Sequence, residues 1–229
     1  MSKMILLILL ILNSLLSWSQ DCQAFFSFQE GVTFKITNYD KKDKKVGRSI
    51  QKVIEKKVSD NSMSVDVELV NHDEKDKITT KTKYIVKCEG GKFYFDMNLF
   101  FDQKRLEAYK DMDIQVDAEY LEFPSNMKKG DELKDGIMTV TVSTSVMTIA
   151  NIKVEISERL VDGIEKITTP AGTFTCTKIS YNVFTKVGFV KVSTNVTEWY
   201  AKGVGIVKSE SYNKKNGKYL GKSVLTKFN

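Results

Sequence analysis

The sequence predicts an all-β protein, mainly antiparallel, built as a meander of strands with one short helix. Apolar and polar residues alternate with a period of two in several separate runs, the signature of strands with one buried face. Short Gly- and Asn-containing reversals fall between those runs, which suits hairpins better than βαβ crossovers. The 229 residues hold only 2 Pro, and no Pro/Gly/Ser linker, low-complexity tract or internal repeat divides them. A β-rich chain of this length can form one domain, and 20–229 is read as that domain.

Residues 1–19 stand apart. Lys3 follows the amino terminus, Met4 to Leu12 is an unbroken apolar run, and Ser17-Trp18-Ser19 offers small residues at a cleavage site. This three-part pattern predicts a signal peptide cut after Ser19, the run being too short to span a membrane. Cys22 follows Asp21 rather than a small residue, so lipid attachment there is not expected. The chain is expected to be exported, to the periplasm or outer envelope, with no transmembrane segment in its mature part and in soluble form.

Along the mature chain, Lys41-Lys42-Asp43-Lys44-Lys45 reads as a solvated charged turn. Ser62 to Leu69 alternates cleanly, with Met63, Val65, Val67 and Leu69 on one side. His72, the only histidine, falls in Asn71 to Asp76, a polar stretch read as a hairpin loop. Ile78 to Cys88 places Tyr84, Val86 and Cys88 on one face and Lys81, Lys83 and Lys87 on the other. Glu89-Gly90-Gly91-Lys92 is a turn. Asn98 to Tyr109 breaks the rhythm: Asn98 can cap a helix, and Leu99, Leu106 and Tyr109 fall on one helical face, which predicts a helix near 98–110.

Leu121 to Leu133 reads as a strand end followed by a loop at Pro124-Ser125. Met138 to Val142, Ile152 to Ile156 and Val190 to Val196 alternate again. Reversals are predicted at Val161-Asp162-Gly163, at Thr169-Pro170-Ala171-Gly172 and at Asn216-Gly217. Trp199 and Tyr200 must occupy opposite faces of a strand, and Gly203 and Gly205 allow a bend after it.

Composition excludes much chemistry. One histidine removes two-histidine metal motifs, and its polar setting lacks a nucleophile partner. Asp111 to Asp117 has the look of a calcium loop without its central Gly and distal Glu. Gly203-Val204-Gly205 is too short for a dinucleotide fingerprint, and no phosphate-binding Gly-rich loop occurs. No catalytic residue, metal ligand or cofactor is assigned. The net charge of +6 points to solubility or an anionic envelope surface, since an exported chain meets little nucleic acid. In an oxidising compartment one disulfide is expected among Cys22, Cys88 and Cys176, with the pairing left open.

Three blocks carry a family resemblance. They are Leu121 to Ser125 with Lys129 to Gly136; Glu165 to Cys176, containing Thr-Pro-Ala-Gly-Thr-Phe; and Glu198 to Glu210, containing Glu-Trp-Tyr. With Cys88 to Met97 and Asp21-Cys22, the mature chain resembles the domain-of-unknown-function 3108-like family, also called TapB-like, of exported Bacteroidetes-type proteins. The resemblance implies a curved antiparallel sheet, a spiral β-roll or half-open barrel similar to lipoprotein-carrier folds. It brings no enzymatic activity and no site residues.

The resulting expectation is a non-enzymatic envelope protein whose curved sheet binds an apolar ligand, lipid or peptide, or meets an envelope protein. The ligand-face candidates are Met63, Val65, Val67, Leu69, Tyr84 and Val86, because one short helix is too little to cover such a sheet. The alternatives are a hydrolase with an acidic site that sequence does not reveal, and an interaction scaffold using edge strands.

Overall fold

The computed structural model describes residues 25–59, 62–97 and 111–229. The expected signal peptide, Cys22 and the expected helix at 98–110 lie outside the described residues. The strands are β1 (Thr33–Asp40), β2 (Lys45–Val58), β3 (Ser62–Asp73), β4 (Ile78–Glu89), β5 (Lys92–Asp96), β6 (Asp113–Ala118) and β7 (Tyr120–Pro124). They continue with β8 (Glu132–Leu133), β9 (Gly136–Ser143), β10 (Thr148–Thr169), β11 (Gly172–Val187), β12 (Val190–Ala201), β13 (Gly205–Asn213) and β14 (Tyr219–Phe228).

All of them join one sheet in the order β6-β9-β10-β11-β12-β13-β14-β1-β2-β3-β4-β5-β7, with β8 paired to β10 off that path. Every ladder is antiparallel, as the alternation and short reversals require. The two ends of the path, β6 and β7, are consecutive in sequence. Only Glu119 separates them, and its amide still donates to the Ile137 carbonyl at 3.0 Å. One extended segment therefore pairs with β9 through its first half and with β5 through its second. The sheet curls until its two margins are the same piece of chain, giving a nearly closed barrel.

Twist and curl of this degree need bulges. β10, twenty-two residues long, carries two register slips against β11, between Ser157 and Leu160 and between Val161 and Gly163. The reversal expected at Val161-Asp162-Gly163 is thus the second of these slips. Gly163, at φ 152°, absorbs the irregularity while the strand continues. The expected turns at Gly90-Gly91 and Pro170-Ala171 are present as hairpins. His72 lies within β3, opposite Arg48 on β2 and Ile78 on β4, so it is a half-buried strand residue rather than a loop residue. The stretch after Asp111 that looked like a defective calcium loop forms β6.

The core fills the barrel. Val65, Val67 and Val86 are fully buried, and Phe25 and Phe26, ahead of β1, plug the space between Phe34, Phe93 and Tyr200. Trp199 and Tyr200 do take opposite faces, and both are buried. Tyr200 points inward, against Phe25 and Phe123. Trp199 faces outward and is covered by lysine stems, with Lys208 Nζ 4.5 Å and Lys178 Nζ 5.5 Å from its ring, while its indole N–H donates to Glu165. Long cationic side chains can shield an aromatic in this way and keep their ammonium groups wet.

Candidate functional site

The first bulge in β10 builds a polar site. Glu158 sits at φ 55°, an uncommon conformation for a residue with a side chain. The extra residue inverts the alternation. Ile156 points inward, Glu158 turns out to pair with Lys214 at 3.2 Å, and Arg159 turns inward with 2% exposure.

Once inside, the Arg159 guanidinium crosses from β10 to the barrel's seam. It donates to the carbonyl of Glu122 on β7 at 3.2 Å and to the carbonyl of Lys134, between β8 and β9. Its centre lies 4.5 Å from the Phe123 ring, and Nη2 is buried without a partner. Nearby on β12, the buried Glu198 accepts a hydrogen bond from the Tyr200 hydroxyl. Burial pushes the Glu198 carboxyl above its ordinary range and outweighs the hydrogen bonds from Tyr200 and Tyr181 that pull it down. Burial likewise lowers the Arg159 pKa and raises those of Tyr181 and Tyr200.

Above this layer lies a cleft of about 1040 Å³, bounded by β8, β10, β11, β12 and the β13–β14 turn. Asp135, Glu158, Tyr181, Asn182, Asn195 and Tyr212 line it. The two asparagines are direct cross-strand neighbours, so their amides stand side by side. Such walls offer donors, acceptors and ring faces together. The Ser180 hydroxyl in the same wall is 3.1 Å from Asp162 Oδ1, and no histidine adjoins it. Among the described residues no group of three His, Cys, Asp or Glu could hold a metal ion. The cleft's amides, phenols and carboxylates can hydrogen-bond, and its tyrosine rings can stack.

The expected ligand face is assembled in register: Met63 opposite Cys88, Val65 opposite Val86, Val67 opposite Tyr84, and Leu69 beside them on β3. Val65, Val67, Tyr84 and Val86 are buried, while Met63 and Leu69 are half-buried. The chain itself covers this face. The Phe95 ring lies 5.7 Å from that of Tyr84, tilted by 51°, and the Tyr84 hydroxyl donates to Gln51 Oε1 at 2.7 Å. The apolar cavity lined by Phe25, Phe26, Phe34, Phe93 and Phe95 measures about 30 Å³, room for about one water. Cys176 is a free, buried thiol, and Cys88 is buried as well. The polar cleft escaped the sequence reading because alternation counted from Ile156 sends Arg159 outward. A buried-looking strand that carries Glu-Arg where one apolar residue is due was the available sign.

The fold and cleft define a class: a nearly closed antiparallel β-roll with a packed apolar interior and a polar concavity on one flank. The chain belongs to the DUF3108-like family, whose pattern matches residues 29–225. None of the curated proteins matches it. Two crystal structures share the fold. One is a protein of YmcC-like fold from Bacteroides fragilis, described as exported, at 24% identity and TM-score 0.74. The other is a protein from Parabacteroides distasonis, described as a lipoprotein, at 24% identity and TM-score 0.75. Each alignment covers 91% of this chain and 100% of the other. The family is one of unknown function, and no enzymatic activity is indicated for it.

Proposed function

We propose that the protein is an exported, non-enzymatic binding protein of the cell envelope, and that the cleft at the β10 bulge holds its ligand. The observation that carries this reading is the contrast in space. The polar cleft offers about 1040 Å³, at the upper end of ligand-site volumes, against about 30 Å³ in the aromatic interior. Its amides, phenols and carboxylates suit a short hydrogen-bonding chain, a peptide in the first instance. The predicted signal peptide supports export, as do the descriptions of the two structural neighbours. A lipid on the Met63–Leu69 face would have to displace the phenylalanines that cover it.

Native mass spectrometry of protein purified from its own envelope tests this. The expected spectrum shows a retained polar mass, released on denaturation and absent from Asn195→Trp, which fills the cleft without touching the core. Bare protein whose melting no short peptide shifts would overturn the proposal. So would a fatty acid that raises the melting temperature of wild type and Asn195→Trp alike.

A further inference from the structure

Among the described residues, the strand directions gather five connections at one end of the barrel, at 41–44, 74–77, 144–147, 188–189 and 214–218. Two of them hold large apolar side chains in water. Val146 and Met147 form the β9–β10 turn at 88% and 61% exposure, and Phe189 tips the β11–β12 hairpin with its whole surface exposed, beside Val190 at 65%. Val187 pairs with Val190, so Gly188-Phe189 is a two-residue turn, and Gly188 at φ 56° supplies the geometry that lets Phe189 stand clear. The connections at the opposite end hold Gly90-Gly91 and Pro170-Ala171 instead. Isolated exposed apolar residues are ordinary; a cluster on neighbouring hairpin tips is a recognition surface.

The charge at this end is mixed: Asp43, Glu74 and Asp76 sit in the same connections and pair with Lys222, Lys44 and Lys45. Lys153 on β10 lies opposite Lys186 on β11, which lies opposite Lys191 on β12. Like charges directly across a ladder destabilise it. Lys153 has Glu155 as a partner, but neither Lys186 nor Lys191 has an ion-pair partner among the described residues. The basic turns at 41–45 and 214–218 stand at the same end. Apolar tips flanked by the unpaired Lys186 and Lys191 are complementary to a surface that is apolar a few ångströms down and anionic on top.

We propose that this end of the barrel docks on an anionic phospholipid bilayer. Phe189, Val190, Val146 and Met147 enter the headgroup boundary while Lys186 and Lys191 face lipid phosphates. The surface is distinct from the cleft, and it holds the protein at the membrane without a spanning segment.

Vesicle co-sedimentation of the exported protein tests this with phosphatidylglycerol–phosphatidylethanolamine and with pure phosphatidylcholine vesicles. Binding is expected to the anionic vesicles only, and to weaken at least tenfold in 0.5 M salt. Phe189→Ser and the pair Lys186→Glu/Lys191→Glu should each cost at least tenfold in affinity, with circular dichroism and melting unchanged. Phe189→Trp should show a blue-shifted emission only with anionic vesicles. Equal binding to phosphatidylcholine, no binding to anionic vesicles, or binding indifferent to Phe189→Ser would overturn the proposal. A Phe189-dependent dimer in sedimentation equilibrium, with no vesicle binding, would assign the patch to a second copy instead and overturn it equally.

Discussion

The guanidinium of Arg159 donates to the main-chain carbonyl of Glu122 at 3.2 Å, joining two strands, β10 and β7, that share no ladder. The same group reaches the carbonyl of Lys134. One side chain thus satisfies two carbonyls on either side of the seam.

Removing it should open that seam. Arg159→Met keeps the bulk and loses the donors, so two carbonyls go unsatisfied, at a cost of about 2–4 kcal/mol. Arg159→Lys should recover little of this, because a point charge cannot span both carbonyls as the planar fork does. Urea unfolding checks it: a midpoint within error of wild type for Arg159→Met would show the seam closes by other means.

Glu198 makes stability depend on pH. Its carboxyl titrates above the ordinary 4.5 because it is buried, so the folded state holds that proton more tightly than the unfolded state does. Below about pH 4.5 both states are protonated and no penalty exists. As pH rises from there through the raised folded value, the unfolded state ionises first, and stability falls until both are charged. Glu198→Gln cannot ionise yet still accepts from Tyr200. Its melting temperature should exceed wild type at pH 7, with the gap closing toward pH 4.5. A gap independent of pH would mean that Glu198 is not the group responsible.

The cysteines should divide two and one. Cys176 is free and fully buried, with its pKa pushed up to about 11 by burial, so it should ignore thiol reagents at pH 8 until the protein unfolds. If the chain carries its one expected disulfide, a free Cys176 leaves Cys88 and Cys22 to form it. Denatured, unreduced protein should then yield one thiol, on the Cys176 peptide. Three thiols would remove the disulfide, and the roughly 4 kcal/mol that closing a 66-residue loop contributes in the chain-entropy model would have no basis.

What the sequence made legible was regular. In β3 and β4 the period of two runs unbroken from Met63 to Leu69 and from Tyr84 to Cys88, and the structure pairs those residues in the implied register. What it concealed lies where regularity fails. A bulge costs one residue of phase, so Arg159, polar and due outside, is among the most buried side chains of β10, while Leu160 is exposed. Trp199 was legible as a strand residue, but its burial on the outer face depends on lysines of two other strands. Short reversals announce which consecutive strands are neighbours. Nothing in the sequence announces that Glu119 carries the chain from one margin of the sheet to the other, because that follows from curvature accumulated over every ladder.

The pairing of β1 with β14 sets a timetable for folding. Thr37 and Thr226 share a hydrogen bond at 2.9 Å across 189 residues of chain, so the first strand waits for the last before its second side is covered. Until β14 arrives, the growing sheet keeps an open template at β1, and long-range closures of this kind are slow. If the chain is exported amino terminus first, it cannot finish its barrel in transit, and the search for its last ladder would take place wholly on the far side of the membrane.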